Sequence, residues 1–395
     1  MRLDNPEELL NLLTSRNNGK ATPEMAKFAR LADQELEYWV SQPGFVTTND
    51  SKHWFGPQFG DANKQGAGRG HSVIAWFKDR AIKLGVNFMK ADAKKLLVDG
   101  SDILGITSMI DGSSVDLTAD NYILANGNAG GYLFQSTNRA IRDSGSQLIF
   151  EAGLGLNDFE VNMLHPFSRT NTKGDSLVGC YETDRLEKAR VYLDGLADKP
   201  IFDERTTDLL SAHEAHYHFP EIAERFIAFG GVVKIVFPDN SQRLARVSHH
   251  YSHMSIDTGD GVSVNGVNNL FAVGDAAGTG FWTNHKERFP GFALVKALVD
   301  GGVSTNAILS RSESADVSIK SLQTEPMQEL TSDVLTREDE IAIRKINTKN
   351  LLALHVSKNQ NARAELAEQW VDDLRSSGYY GGQIDMSLEM AKSYM

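Results

Sequence analysis

Two glycine-bearing stretches carry the residue types best suited to hold a ligand. The first is Asn269-Leu270-Phe271-Ala272-Val273-Gly274-Asp275-Ala276-Ala277-Gly278-Thr279-Gly280. An apolar run stops at an acid, and the small residues after it let a bulky ligand lie against the backbone. A carboxylate at Asp275 can accept hydrogen bonds from sugar or polyol hydroxyls. Arg288-Phe289-Pro290-Gly291-Phe292-Ala293-Leu294 follows. The pattern predicts a helix from Gly291 to Val299, whose first N–H groups would face the same ligand. An ordinary strand–turn–helix in which Asp275 only caps the helix fits the local pattern equally well. The second stretch is Asn121-Tyr122-Ile123-Leu124-Ala125, read as a buried strand, which ends in Asn126-Gly127-Asn128-Ala129-Gly130-Gly131. Glycines at the C-terminal end of a strand again admit a ligand to the backbone.

Two other clusters carry less. Gly66-Ala67-Gly68-Arg69-Gly70-His71 has the look of a dinucleotide loop, but no strand precedes it, so it reads as a loop entering a helix. His249, His250 and His253 lie close in sequence without supporting acids. They read as structural rather than as a metal centre, and no metal is expected.

These residues need elements to position them. Asn5 with Pro6, and Thr22 with Pro23, predict two helix starts. Met25, Phe28, Ala29, Ala32, Leu36 and Trp39 form one apolar face of the second helix. A third helix is expected from Ser72 to Leu84, ended by Gly85. Strands are predicted at Val86–Met89, Lys95–Val98, Ile103–Met109 and Val115–Thr118, the last three a meander with turns at Asp99-Gly100 and Asp111-Gly112. A helix is read over Gln147–Ala152. From Ser168 to Val247 the chain is more charged and less regular, as in a small inserted domain with a helix over Pro220–Phe229 and a strand over Val232–Phe237. A hairpin is read around Asp257–Gly261. Beyond Arg311 the chain is polar, then helical from Glu338, with Ile341, Ile343, Ile346, Leu351, Leu352 and Leu354 as apolar contacts.

Composition bounds the classes. A chain of 395 residues predicts two or three domains, and 41% apolar residues supply a core. The net charge of −12 (40 basic, 52 acidic) and the absence of a basic block argue against nucleic acid or an anionic membrane as partner. No apolar run is long enough to span a bilayer. Cys180 is the single cysteine, which excludes an intrachain disulfide and a multi-thiolate metal site. A cytoplasmic protein is expected.

Several of these motifs occur together in one order. Ile123 to Gly130, then Asp143-Ser144-Gly145, then Ala152-Gly153 to Asp158-Phe159-Glu160, His165-Pro166, His250-Tyr251, Leu270 to Gly280 and Arg288 resemble the flavoprotein subunits of fumarate reductase and succinate dehydrogenase, together with L-aspartate oxidase. Val191-Tyr192-Leu193-Asp194 and Phe219-Pro220-Glu221-Ile222 are similar to the cap of aspartate oxidases. The resemblance covers roughly residues 20–300.

It implies an α/β fold: an FAD-binding Rossmann-like domain, N-terminally truncated, with an inserted α+β capping domain and a helical C-terminal tail. The implied boundaries are 1–163 and 249–310 for the FAD-binding domain, 164–248 for the cap and 311–395 for the tail. Ala125, Asn126, Gly127, Asp143, Gly274, Asp275, Ala293 and Leu294 are implied to hold FAD, and His165, His250 and Arg288 a small carboxylate. Arginine suits that task because its fork is bidentate and always charged. Taken alone, His165 reads as a satisfied buried histidine before a proline; the motif order favours the functional role.

The departures shape the expectation. The strand–GxGxxG–helix unit that opens the family has no counterpart here, so the chain is expected to begin after it and to bind FAD non-covalently. The family's Arg-Gly-Glu-Gly-Gly stretch is missing. Arg185 and Arg190 are either solvated cap charges or replacements for its proton-donating arginine. Glu287 and Phe292 stand where the family has asparagines, and an acid beside Arg288 weakens its hold on an anion. Two readings follow: an FAD-dependent oxidoreductase acting on a small carboxylate, or a non-catalytic or split chain that needs a partner to bind FAD. In either, a sheet edge left open by the missing strand is expected to be covered by a partner chain or a second copy.

Overall fold

The computed structural model describes residues 6–17, 19–43, 69–127, 130–134, 144–159, 162–170, 176–180, 189–193, 223, 226–227, 231–252, 254–278, 293–311, 321–322, 336–357, 359–379 and 382–395. Its helices are α1 (Pro6–Arg16), α2 (Pro23–Val40), α3 (Arg69–Lys83), α4 (Ser144–Glu151), α5 (Ala293–Arg311), α6 (Arg337–Val356), α7 (Gln360–Ser376) and α8 (Gly382–Lys392). Its strands are β1 (Asp92–Asp99), β2 (Asp102–Ile110), β3 (Ser113–Leu117), β4 (Tyr122–Leu124), β5 (Leu156–Asn157), β6 (Asn162–Thr170) and β7 (Ser176–Cys180). Then come β8 (Arg190–Leu193), β9 (Val232–Val236), β10 (Gln242–Ser252), β11 (Ser255–Ile256), β12 (Leu270–Ala272) and β13 (Ser321–Leu322). The chain divides into two compact units, Met1–Leu124 with Thr258–Pro326, and Ala125–Asp257 with Met327–Met395.

In the first unit, Thr22 caps α2 by accepting the Met25 N–H at 3.2 Å, and Pro23 occupies the first turn, where no N–H is needed. Met25, Phe28, Ala29 and Ala32 are buried as their spacing predicts. Strands β1, β2 and β3 form the antiparallel meander, extended by β13. At its second turn Asp111 (φ 48°) and Gly112 (φ 83°) are both left-handed, as the tight hairpin turn requires. Strand β4 pairs in parallel with β12, Tyr122 opposite Leu270 and Leu124 opposite Ala272. All three residues of β12 are buried, whereas in β4 Ile123 between Tyr122 and Leu124 is 46% exposed. The Asn269 carboxamide joins this pair to the meander: its oxygen accepts the Ile103 N–H at 2.8 Å and its nitrogen donates to the Ile103 carbonyl at 2.9 Å.

Two expectations are corrected. Val86–Met89 is not a strand; Val86, Phe88 and Met89 are 51%, 57% and 64% exposed in an irregular segment before β1. A short apolar run becomes a strand only where a neighbour pairs it, and none of the sheets among the described residues takes this one. Helix α3 starts at Arg69, so the end of the glycine-rich loop is already helical. Of the helix expected over Gly291–Val299, Gly291 and Phe292 lie outside the described residues; Ala293–Val299 are helical, and the helix runs on to Arg311.

The second unit has two cores. One lies on the antiparallel sheet β7-β6-β10-β9-β8 and gathers Phe167, Phe226, Val233, Ile235 and Val247. Of the helix expected over Pro220–Phe229, Ala223, Phe226 and Ile227 fall among the described residues and are helical. The other core packs α6, α7 and α8 with Tyr132, Leu133 and Met254 around the fully buried Trp370. The Trp370 indole donates to the Asn347 carboxamide at 3.1 Å, which donates to Ser387 at 2.8 Å and to the Tyr132 carbonyl at 3.1 Å. A buried network satisfied in this way specifies one packing. Thr336 and Asp339 form a capping box at the start of α6. No described helix is long and apolar enough to cross a membrane.

Candidate functional site

Strand β12 ends at Ala272, and the Val273 N–H still donates to the Leu124 carbonyl at 3.0 Å. The chain then turns through a 3-10 segment, Gly274–Ala277. Gly274 (φ 64°) and Gly278 (φ 66°) bracket it in the left-handed region, where a side chain would be strained. Asp275 sits half-buried in the first turn of this segment. The N-cap of this segment is Val273, not Asp275.

Helix α5 holds this turn through two side chains not anticipated from the sequence. The Asp300 carboxylate accepts the Gly274 N–H at 2.8 Å, and the Lys296 ammonium donates to the Gly274 carbonyl at 3.3 Å. Lys296 and Asp300 are in direct contact as an ion pair, with side chains 5% and 10% exposed. Both backbone polar groups of Gly274, which belong to two successive peptides, are thereby held by a buried pair. Burial pushes the Asp300 carboxyl above its ordinary value; Lys296 and the Gly274 N–H pull it back, and the Asp275 charge pushes it further up. The signal was present in Ala293-Leu294-Val295-Lys296-Ala297-Leu298-Val299-Asp300: opposite charges four apart in an otherwise apolar helix. The side chain of Ala293 is half-buried, and that of Leu294 lies outside the described residues.

The second turn is built differently. After Leu124 come exposed Ala125, then Asn126 and Gly127 (φ 81°). A Cβ on Gly145, in the first turn of α4, would overlap the Asn126 carboxamide. The glycine of Asp143-Ser144-Gly145 therefore makes room for the asparagine of the turn. Asp143 itself lies outside the described residues, as do Arg185 and Arg288.

Strands β6 and β10 bring two of the expected histidines to neighbouring rungs. His165 lies opposite Ser248, and Leu164 opposite His249. The register slips twice. Between Ser168 and His165, β6 carries an extra residue at Pro166-Phe167, where a proline that cannot donate to the ladder is tolerated. Between His249 and Tyr251, β10 carries His250 as its own extra residue. Bulges of this kind re-aim side chains and are common beside active sites. His165 is buried, and the Phe167 N–H donates to its Nδ1 at 3.0 Å. A neutral ring that accepts at Nδ1 carries its proton on Nε2. His249 is buried; the side chain of His250 lies outside the described residues, as does His253. Among the described residues no cluster could hold a metal ion. Arg190, in β8, is exposed, as a solvated charge is.

No protein-family model matches the sequence, and no curated protein does. Solved structures do match. The chain is similar to FrdA of E. coli quinol fumarate reductase, with a TM-score of 0.58 at 14% identity over 99% of this chain and 77% of that one. It is similar to Mycobacterium smegmatis Sdh1 in complex with UQ1, with a TM-score of 0.56 at 15% identity over 98% and 74%. It is also similar to a flavocytochrome c3 fumarate reductase in an open conformation, with a TM-score of 0.54 at 13% identity over 79% and 68%. At such identities the likeness is one of architecture: this mixed helix-and-sheet chain has the fold of the fumarate reductase and Sdh1 structures.

Proposed function

We propose that the chain is an FAD-dependent oxidoreductase that acts on a small carboxylate. The observation that carries the reading is the Gly274–Asp275 turn, gripped by a buried ion pair at the carboxyl end of a parallel strand, the place where open α/β sheets receive their ligands. Its left-handed glycines clear a path to the backbone, and Asp275 offers a carboxylate for ligand hydroxyls. Gly274, Asp275, Ala293 and Leu294, with Ala125, Asn126, Gly127 and Asp143, hold FAD without a covalent link. FAD supplies two-electron oxidoreduction when bound. His165, through Nε2–H, His250 at its bulge and Arg288 through its fork hold the carboxylate and fix its orientation. Within this reading residues 1–163 and 249–310 serve the cofactor, 164–248 cap the substrate and 311–395 brace the cap, in a cytoplasmic protein.

One observation favours a variant. Parallel sheets are normally covered on both faces, yet Ile123 in the parallel pair is 46% exposed. A partner chain or second copy that covers it would complete the FAD site of a split or non-catalytic protein.

The test of the substrate assignment is a difference spectrum of the FAD-loaded chain titrated with succinate. Saturable perturbation is expected, with R288M and H165A each weakening succinate at least about 30-fold, as for an unpaired buried anion contact worth about 2 kcal/mol or more. Loaded protein that gives no response to succinate, or the same response in both variants, rejects the carboxylate assignment.

A further inference from the structure

A cavity of about 280 Å3 lies within the second unit, between β10 and α6. Among the described residues, none assigned above to FAD or carboxylate lines it. Three described cations do: Arg246 of β10, and Lys345 and Lys349 of α6. No acid is among the described lining residues, although acids outnumber bases in the chain by 52 to 40. Lys345 and Lys349 are like charges one helical turn apart, an arrangement that by itself destabilises a helix. Lys349 is offset from outside the cavity by Asp373 of α7, at 3.0 Å. The Lys345 ammonium lies 5.2 Å from the centre of the Phe134 ring. The cavity walls are firm: the Phe134 N–H donates to the Thr348 hydroxyl at 2.9 Å, and Leu352 packs on the sheet core that contains Val247.

We propose that this cavity binds a small organic dianion, a phosphate monoester, as a second ligand. The guanidinium and the two ammonium groups suit a phosphate that needs charge from more than one side. Phe134, Val247 and Leu352 suit an apolar or aromatic ester group. The volume falls just below the range of about 300–1,000 Å3 typical of drug-sized ligand sites, which sets the size at that of a small metabolite. The inference is independent of the flavin reading and is tested without flavin.

The experiment is calorimetric titration of the purified full chain with phenyl phosphate, in parallel with K345M, R246M and H165A. Saturable one-to-one binding is expected, weakened at least tenfold in K345M and in R246M and unchanged in H165A. Lys345 is exposed, so K345M keeps the wild-type circular dichroism and decides the matter should R246M fail to fold. Absence of saturable binding, or equal affinity in wild type and K345M, overturns the proposal. Loss in H165A with retention in K345M overturns it as well, since it moves the phosphate to the carboxylate site.

Discussion

The two turns proposed to hold FAD follow strands that pair with each other, yet they are held by opposite means. At Gly274 the backbone is held by charge: Lys296 and Asp300, both buried, bond its carbonyl and its N–H. At Asn126 the turn is held by shape: Gly145 leaves a hollow that the carboxamide fills. A charge clamp fixes two successive peptides, but its stability depends on both partners. A shape clamp needs no ionisation, and it fails by a single added methyl group. One fold thus positions two backbone turns with one device that responds to protons and one that does not.

The largest break in this comparison is expected at Lys296. K296M leaves the Asp300 carboxylate buried and unpaired, which costs about 3–5 kcal/mol of unfolding free energy. K296M/D300L should recover most of that loss, because it removes the charge as well as its partner. Urea denaturation of the full chain measures both, and a K296M penalty under about 1 kcal/mol denies the clamp. At the shape-held turn G145A is expected to cost about 1–3 kcal/mol by overpacking. N126G in the same chain should return most of it. A double-mutant cycle reads that coupling, and strict additivity contradicts the contact.

The finest distinction is the response to pH. Asp300 has a folded-state value raised above the ordinary 3.8 by burial. Its protonation therefore favours the native state: the contribution is fully present below the unfolded value and is lost as pH rises through the folded one. Losing Lys296 pushes the carboxyl higher still. The K296M penalty should then shrink as pH falls from neutrality towards the ordinary carboxyl value of 3.8, while the G145A penalty stays flat. Equal slopes in the two variants erase the difference between the turns.

How far the sequence reaches differs along the chain for physical reasons. The face of α2, the meander and the strand before Gly274 follow from periodicity and turn chemistry, which act over a few residues. The bulge at Pro166 has a local cause, a proline that cannot donate to the ladder, but strand β6 itself carries no sign read from the sequence. The bulge at His250 is not legible, because it exists only in register with β6. Val86–Met89 reads as a strand until the absence of a pairing neighbour among the described sheets decides otherwise. Lys296 and Asp300 are visible as an i,i+4 pair, but their burial, which gives them their role, comes from tertiary packing. Gly145 carries no local sign that it serves Asn126.

The proposed function requires that this chain hold FAD through these turns. Purified full-length protein, incubated with excess FAD and desalted, should show the flavin bands between about 300 and 600 nm at near one equivalent and release the flavin intact on denaturation, since the isoalloxazine carries the chemistry and no covalent link is expected. A desalted chain with no flavin absorbance contradicts the claim and leaves the split or non-catalytic reading in its place.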